Sequence, residues 1–374
     1  MVTGSETVTR GRVDDFVSCT AAELRHRWRR SDNTPESFPS IAARAISDGL
    51  ACEPVTGNDV LHWVLDGAEL PFQPRLDETF GQPPVTLYHD GEFQLDALFW
   101  VQSSTDVHAH GFSGAFAVLD GQSVHTRFEF AETHRVDEHF MIGRVVATDA
   151  ELLGVGAVRE IHQGPALIHS VVHLGCPSVT LVARTCAHSV PIPEYAYFPP
   201  AVALDPSKDD LLRTRTVQLV RMLIRSGATA LGRTVETLIA RCDVHTAFLV
   251  ARELSRNAAA SALVPAALGW SDARWPGVAG PFGDAVVAGL RHAGAVTMLH
   301  RITEPDYRVV LGALAALDEP SQLRGFLQKY VAAETDSLIA GFVRAVRETG
   351  ALNIPAERPF DHMMLRPLAG EAAG

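Results

Sequence analysis

His108 and His110 stand one residue apart in the stretch Asp106-Val-His-Ala-His-Gly111. In extended backbone, residues i and i+2 point to the same face. This spacing therefore presents two imidazoles side by side, provided the stretch is a strand. The apolar run that follows, ending in the hairpin signal Asp120-Gly121, predicts a strand here. A third histidine would complete a metal site. His169, in Gly164-Pro-Ala-Leu-Ile-His-Ser-Val-Val, is the natural candidate because it too enters a β-branched run. Imidazole suits Fe, Zn, Ni and Cu, so the ligand types leave the metal open. Three protein ligands leave coordination positions free, as in catalytic rather than structural centres. Eight of the chain's 16 histidines fall between His108 and His173, which sets this region apart.

The elements that must position these residues read as β. Val85–Tyr88 and Phe93–Val101 flank a turn at His89-Asp-Gly-Glu92, and Ser123–Phe130 alternates cleanly. Further strands are expected at 144–147, 157–163, 166–174 and 178–185. Short strands with turn signals every 8–12 residues indicate a sandwich or barrel. His125, Arg127 and Glu129 share one face of their strand. Facing inward, His125 would be a catalytic or supporting group and Arg127 a substrate contact. His173, four residues past His169, would line the same cavity as a substrate contact. Arg184 shares a face with Thr180 and Val182 on the last expected strand. Facing inward, its guanidinium needs an anionic partner, either Glu129 or a substrate carboxylate. The second of these is the expectation here.

On either side the patterns are helical. Residues 1–83 read as a helical lead that packs on the barrel, beginning with a loose polar stretch over 1–12. A capping box at Thr20-Ala-Ala-Glu23 and helices over 38–50 and 58–65 follow. The cluster Arg25–Arg30 reads as a solvated helix face. The barrel is expected over 84–190, a Pro-rich linker over 191–206 and an α-helical domain over 207–374. That last part opens with a cap at Ser207–Asp210 and holds helices over 234–256, 283–301 and 306–317 and two between 319 and 349. It carries no motif, and is expected to cover the barrel or to form a homodimer interface. The fold class expected is therefore α+β and multi-domain.

With 374 residues, 47% of them hydrophobic, the chain can bury a large core. Its net charge of −12 excludes nucleic acid as a partner. No apolar run approaches a membrane span, and the first residues lack the pattern of a signal peptide. The five scattered cysteines read as reduced thiols, and a cytoplasmic location is expected.

The histidine pattern resembles the first motif of the cupin superfamily. His108-Ala-His110 is followed by three residues, Gly114, six residues and Gly121; Gln102 stands where a leading glycine would be. Gly164-Pro165 and His169 resemble the second motif. The resemblance covers about residues 84–190 and implies a small β-barrel. Gly114 occupies the position of the usual glutamate ligand, so three neutral histidines remain. All-histidine sites, and the phrase Ala166–Val171, resemble the cysteine-dioxygenase-like branch. That branch implies Fe(II), though another divalent metal would suit the ligands, with dioxygen and a small thiol or amino-acid-like substrate. Val182 and Arg184 stand where that branch carries a His and a Tyr, so the resemblance makes Arg184 a catalytic candidate as well as a substrate-binding one. The lost glutamate and relay equally fit a non-catalytic ligand- or metal-binding barrel, and the same triad suits a non-redox isomerase or hydrolase.

Overall fold

The computed structural model describes residues 4–67, 69–74, 80–101, 104–186, 192–205, 211–350, 352 and 362–369. Three helices come first: α1 (Gly4–Arg29), α2 (Phe38–Cys52) and α3 (Gly57–Leu65). The loose lead expected over 1–12 is helical from Gly4 onward, and Thr20 lies buried inside α1 rather than capping a helix. Val13, Phe16, Val17, Ala21 and Leu24 recur at helical spacing through that point and are all buried. Burial of this stripe outweighs the local capping signal. A capping box does open α3, between Thr56 and Asp59. Arg25 and Arg27 form ion pairs with Asp90 and with Glu23 and Asp48, as befits a surface face.

Eleven strands follow among the described residues: β1 (Pro84–His89), β2 (Phe93–Trp100), β3 (Val107–His110), β4 (Gly114–Asp120), β5 (Ser123–Asp137), β6 (Phe140–Leu153), β7 (Val158–Ile161), β8 (Gly164–His173), β9 (Ser178–Thr185), β10 (Ala196–Phe198) and β11 (Val202–Leu204). One sheet has the order β1-β2-β9-β4-β7. The other, β10-β11-β6-β5-β8-β3, closes on itself through the pairing of β10 with β3. The stretch 191–206, expected to be a linker, therefore contributes two barrel strands. Its prolines flank strands of only three residues, too short to show a period in sequence. The expected run from His108 through Leu119 is also divided, with β3 in one sheet and β4 in the other.

The pleat sorts side chains into layers. From the first sheet, Leu95, Ala97, Ala115, Ala117, Leu119, Val179, Leu181 and Ala183 share a core with α1–α3. The opposite face turns Leu98, Trp100, Phe116, Val118 and Val182 toward the second sheet. The outer face of the second sheet carries Val124, Val172 and Leu174 into a core shared with the C-terminal helices. Those helices are α4 (Leu211–Arg225), α5 (Leu231–Ile239), α6 (Val244–Ser255), α7 (Val264–Arg274), α8 (Ala279–Leu299), α9 (Pro305–Ala316), α10 (Pro320–Tyr330) and α11 (Thr335–Glu348). The single helix expected over 234–256 is two, because Asp243 accepts a hydrogen bond from the Thr246 amide and restarts the helix. Helix α7 is not among the helices expected from the sequence, and the expected cap at Ser207–Asp210 lies outside the described residues. Helix α9 approaches the barrel so closely that a Cβ at Gly312 would lie 2.7 Å from Leu174 and 2.8 Å from Val124.

The architecture is thus α+β: a closed barrel with a second sheet against it, and helices on both flanks. Among the described residues no helix is long and apolar enough to cross a membrane. Leu174 is 6% exposed and ties β8 to the helical layer. Leu174→Ala should cost about 2–5 kcal/mol. Urea unfolding checks this; a cost within about 0.5 kcal/mol of zero would mean that the helices do not depend on this contact.

Candidate metal centre

Strands β3 and β8 run antiparallel with His108 directly opposite His169. The register shifts between His108 and His110, which brings His110 in beside them. One ring nitrogen from each of His108, His110 and His169 lies within 4.8 Å of the others. His110 and His169 are buried, and His108 is half-buried.

Hydrogen bonds fix how these rings face. His108 Nδ1 donates to the Asp106 carbonyl at 2.8 Å, leaving its Nε2 bare, buried and without a hydrogen-bond partner. Behind His169, Glu151 Oε1 accepts from His125 Nδ1 at 2.9 Å, and His125 Nε2 lies 2.9 Å from His169 Nδ1. With His125 Nδ1 donating to the carboxylate, its Nε2 accepts from His169 Nδ1, and the lone pair of His169 falls on Nε2. That atom lies 2.8 Å from His110 Nε2. These tautomers are assigned from the partners. They match the usual support of a metal-bound histidine, whose second nitrogen donates to a carbonyl or an acceptor outside the site. Three imidazoles and an orphaned Nε2 among them fit a divalent cation.

The electrostatics agree. Burial lowers the pKa of His108, although the Asp106 carbonyl opposes it. Burial also holds His110 and His169 well below the usual histidine range, with further lowering from His108 and, for His110, from Arg184. Neutral imidazole is the ligating form. For Glu151, burial opposes ionisation, yet hydrogen bonds from His125 and Arg159 hold the carboxyl well below the carboxylate range.

The three histidines form part of the wall of a cavity of about 50 Å³ between the two sheets, room for a few water molecules. Trp100, Phe112, Phe116, Val118, Ile161 and Val182 make most of the wall apolar. His173 lies on it, stacked on Trp100 at 4.6 Å, with Nδ1 3.0 Å from Ser123 Oγ and Nε2 buried without a partner. Arg184 also faces the cavity, and its anionic partner within the chain is Asp96 rather than Glu129. Its Nε donates to Asp96 at 2.9 Å, and Asp96 also accepts from Thr86 and Gln94. Glu129 is exposed. His125 hydrogen-bonds His169 from behind and is not part of the wall, so the structure places it beside a candidate ligand rather than in the cavity. Arg127 is opposite His169 in register yet exposed and off the wall, so it is not a substrate contact of this cavity. A Cβ at Gly114 would fall onto the Ala183 carbonyl oxygen, so no carboxylate side chain fits at that position.

No protein-family model matches the chain, and no curated protein matches it by sequence. Solved structures do. An RmlC-like cupin from Shewanella frigidimarina is 15% identical, covering 33% of this chain and 95% of its own, with a TM-score of 0.22. A cupin-2 domain protein from the same organism is 13% identical over 36% and 96% of the two chains, with a TM-score of 0.21. A hydroquinone 1,2-dioxygenase from a Sphingomonas species is 9% identical over 29% and 68%, with a TM-score of 0.22. The structural neighbours include cupins. The fold described above rests on strand order and closure, not on these likenesses.

Sequence reasoning missed Glu151, Arg159 and Asp96. Glu151 pairs with His125 across the β5–β6 ladder, where a bulge after Arg127 shifts the register. Only an i-to-j pairing could have found it. The signal for Asp96 was its place two residues from Gln94 on a strand that is otherwise apolar and aromatic.

Burial lowers His173 to a pKa of about 3, whereas an unfolded histidine titrates near about pH 6.5. Between those values only the unfolded chain takes up the proton. Stability should therefore fall as pH drops below about 6.5, by about 1.4 kcal/mol per unit for this group. Urea midpoints of the metal-free chain between about pH 7 and pH 5 test the sign. His173→Gln should remove about one proton from the slope, and an unchanged slope would contradict the assignment.

Proposed function

We propose that His108, His110 and His169 hold one divalent metal ion, ferrous iron, and that the chain is an oxygenase using dioxygen on a small substrate. The observation that carries this reading is the convergence of three ring nitrogens, one of them a buried and otherwise partnerless Nε2. Iron would supply the redox chemistry with dioxygen that side chains cannot. The chain's own residues bind, orient and exclude water. Glu151 and His125 hold His169 in the tautomer that turns Nε2 inward. The apolar wall keeps bulk water from the open side of the site. The cavity's volume of about 50 Å³ limits the substrate to a small molecule, such as a compact thiol or amino-acid-like compound. Arg184, braced through Nε by Asp96, keeps its terminal nitrogens for the anionic end of that substrate.

Elemental analysis of protein purified with iron should find about one metal per chain, lost in His108→Ala. Glu151→Gln should weaken metal binding about 10–100-fold although Glu151 touches no metal. Oxygen uptake after anaerobic iron loading, across a panel of thiols and amino acids, tests the activity. Turnover with zinc in the absence of oxygen would instead make the site hydrolytic or isomerising. Tight ligand binding without turnover would make it a sensor.

Arg184→Lys should raise KM for an anionic substrate about tenfold, the effect of about 1.4 kcal/mol, with metal content unchanged. Wild-type kinetics in that variant would remove Arg184 from substrate binding.

A further inference from the structure

A second cavity, of about 390 Å³, lies between the outer face of the closed sheet and helices α6, α8 and α9. That size is within the range of small-molecule sites. Its walls combine Phe128, Tyr197 and Phe198 with four arginines, in a chain whose net charge is −12. Arg291 is ion-paired with Asp318. Among the described residues, no carboxylate lies within ion-pair distance of Arg144, Arg252 or Arg256. The cavity's other acids are Asp106 and Glu319.

Arg252 is the best placed of these cations. Its guanidinium carbon sits 4.1 Å from the centre of the Phe198 ring and 5.8 Å from that of Phe248. Stacking holds the guanidinium plane and leaves its N–H edges open for bidentate contact. Burial, and after it the like charge of Arg256, lowers its pKa to about 10, so it remains charged at neutral pH. Arg256 follows one turn later on the same side, where two cations four residues apart repel. Asp106 and Glu253 offset part of this cost from a distance, but neither forms an ion pair with the half-buried Arg252, and a charge removed from water without a close partner is costly. An anion seated between the two guanidiniums would relieve both penalties.

The cavity also backs onto the metal centre. Thr105 lies on the walls of both cavities. Asp106, whose carbonyl holds the His108 ring, lines this one. His292 bridges the helical side to the same segment through Ser104 at 3.0 Å.

We propose that this cavity is a second ligand site, for a compact organic anion carrying at least two carboxylate or phosphate groups and gripped by Arg252 and Arg256. Calorimetric titration of the metal-free full chain with citrate, and separately with inorganic pyrophosphate, tests it. Saturable binding of one equivalent of either is expected, weakened at least about tenfold in Arg252→Gln and in Arg256→Gln, and unchanged in Arg184→Gln. Preference for citrate would mark a carboxylate ligand and preference for pyrophosphate a phosphate one. Arg256 is exposed, so its variant should fold as the wild type does, which a thermal melt checks. Absence of binding by both anions, wild-type affinity in both variants, or loss of binding in Arg184→Gln would overturn the proposal. None of these readouts depends on metal or oxygen, so failure here leaves the oxygenase reading standing.

Discussion

Everything in the candidate centre depends on the pleat of β8. Along that strand, His169, Val171 and His173 turn into the cavity, while Val172 and Leu174 turn into the core shared with the C-terminal helices. A slip of one residue would put Ile168 or Ser170 in the place of His169 and turn the histidine to the opposite face. Packing of the helical layer therefore sets the register of the ligands, and the site's precision comes from apolar contacts on the far face of the sheet. The first sheet obeys the same rule, with Leu181 and Ala183 against α1–α3 and Val182 and Arg184 toward the cavity.

Polar order inside the barrel is carried by chains of hydrogen bonds rather than by isolated pairs. Glu151 is held by Arg159 and in turn holds His125, which holds His169. Asp96 gathers Thr86, Gln94 and Arg184. In both chains a carboxylate serves as the anchor, and each cation that meets it comes from another strand. Such networks are costly when half-satisfied and rigid when complete. Toward the cavity, the ligating nitrogens, the outer edge of Arg184 and the partnerless Nε2 of His173 are polar groups left to act.

Much of this was legible in the sequence because it is local. The i, i+2 spacing of His108 and His110, the alternation from Thr180 to Arg184 and the helical stripes of α2, α3 and α9 all show their faces within a few residues. What was not legible depends on distant partners. Glu151 meets His125 only through a ladder with an intervening bulge, and Asp96 meets Arg184 across a strand pair 88 positions apart. The strands β10 and β11 are too brief to carry a period, and the prolines around them read as a linker. Thr20 looked like a cap because its local signal was sound, and burial of the stripe on α1 overrode it. His125 and Arg127 share a face in sequence but not a fate, since the strand carries Arg127 out to the exposed rim.

Gly312 brings α9 into direct contact with β5 and β8, at a distance where even one methyl group would collide with Val124 and Leu174. A single core runs from β8 through α9 to α11. At this contact the C-terminal layer shares the barrel's own core rather than hanging from it as an appendage. Loosening it there would uncover the back of β8, the strand that carries His169.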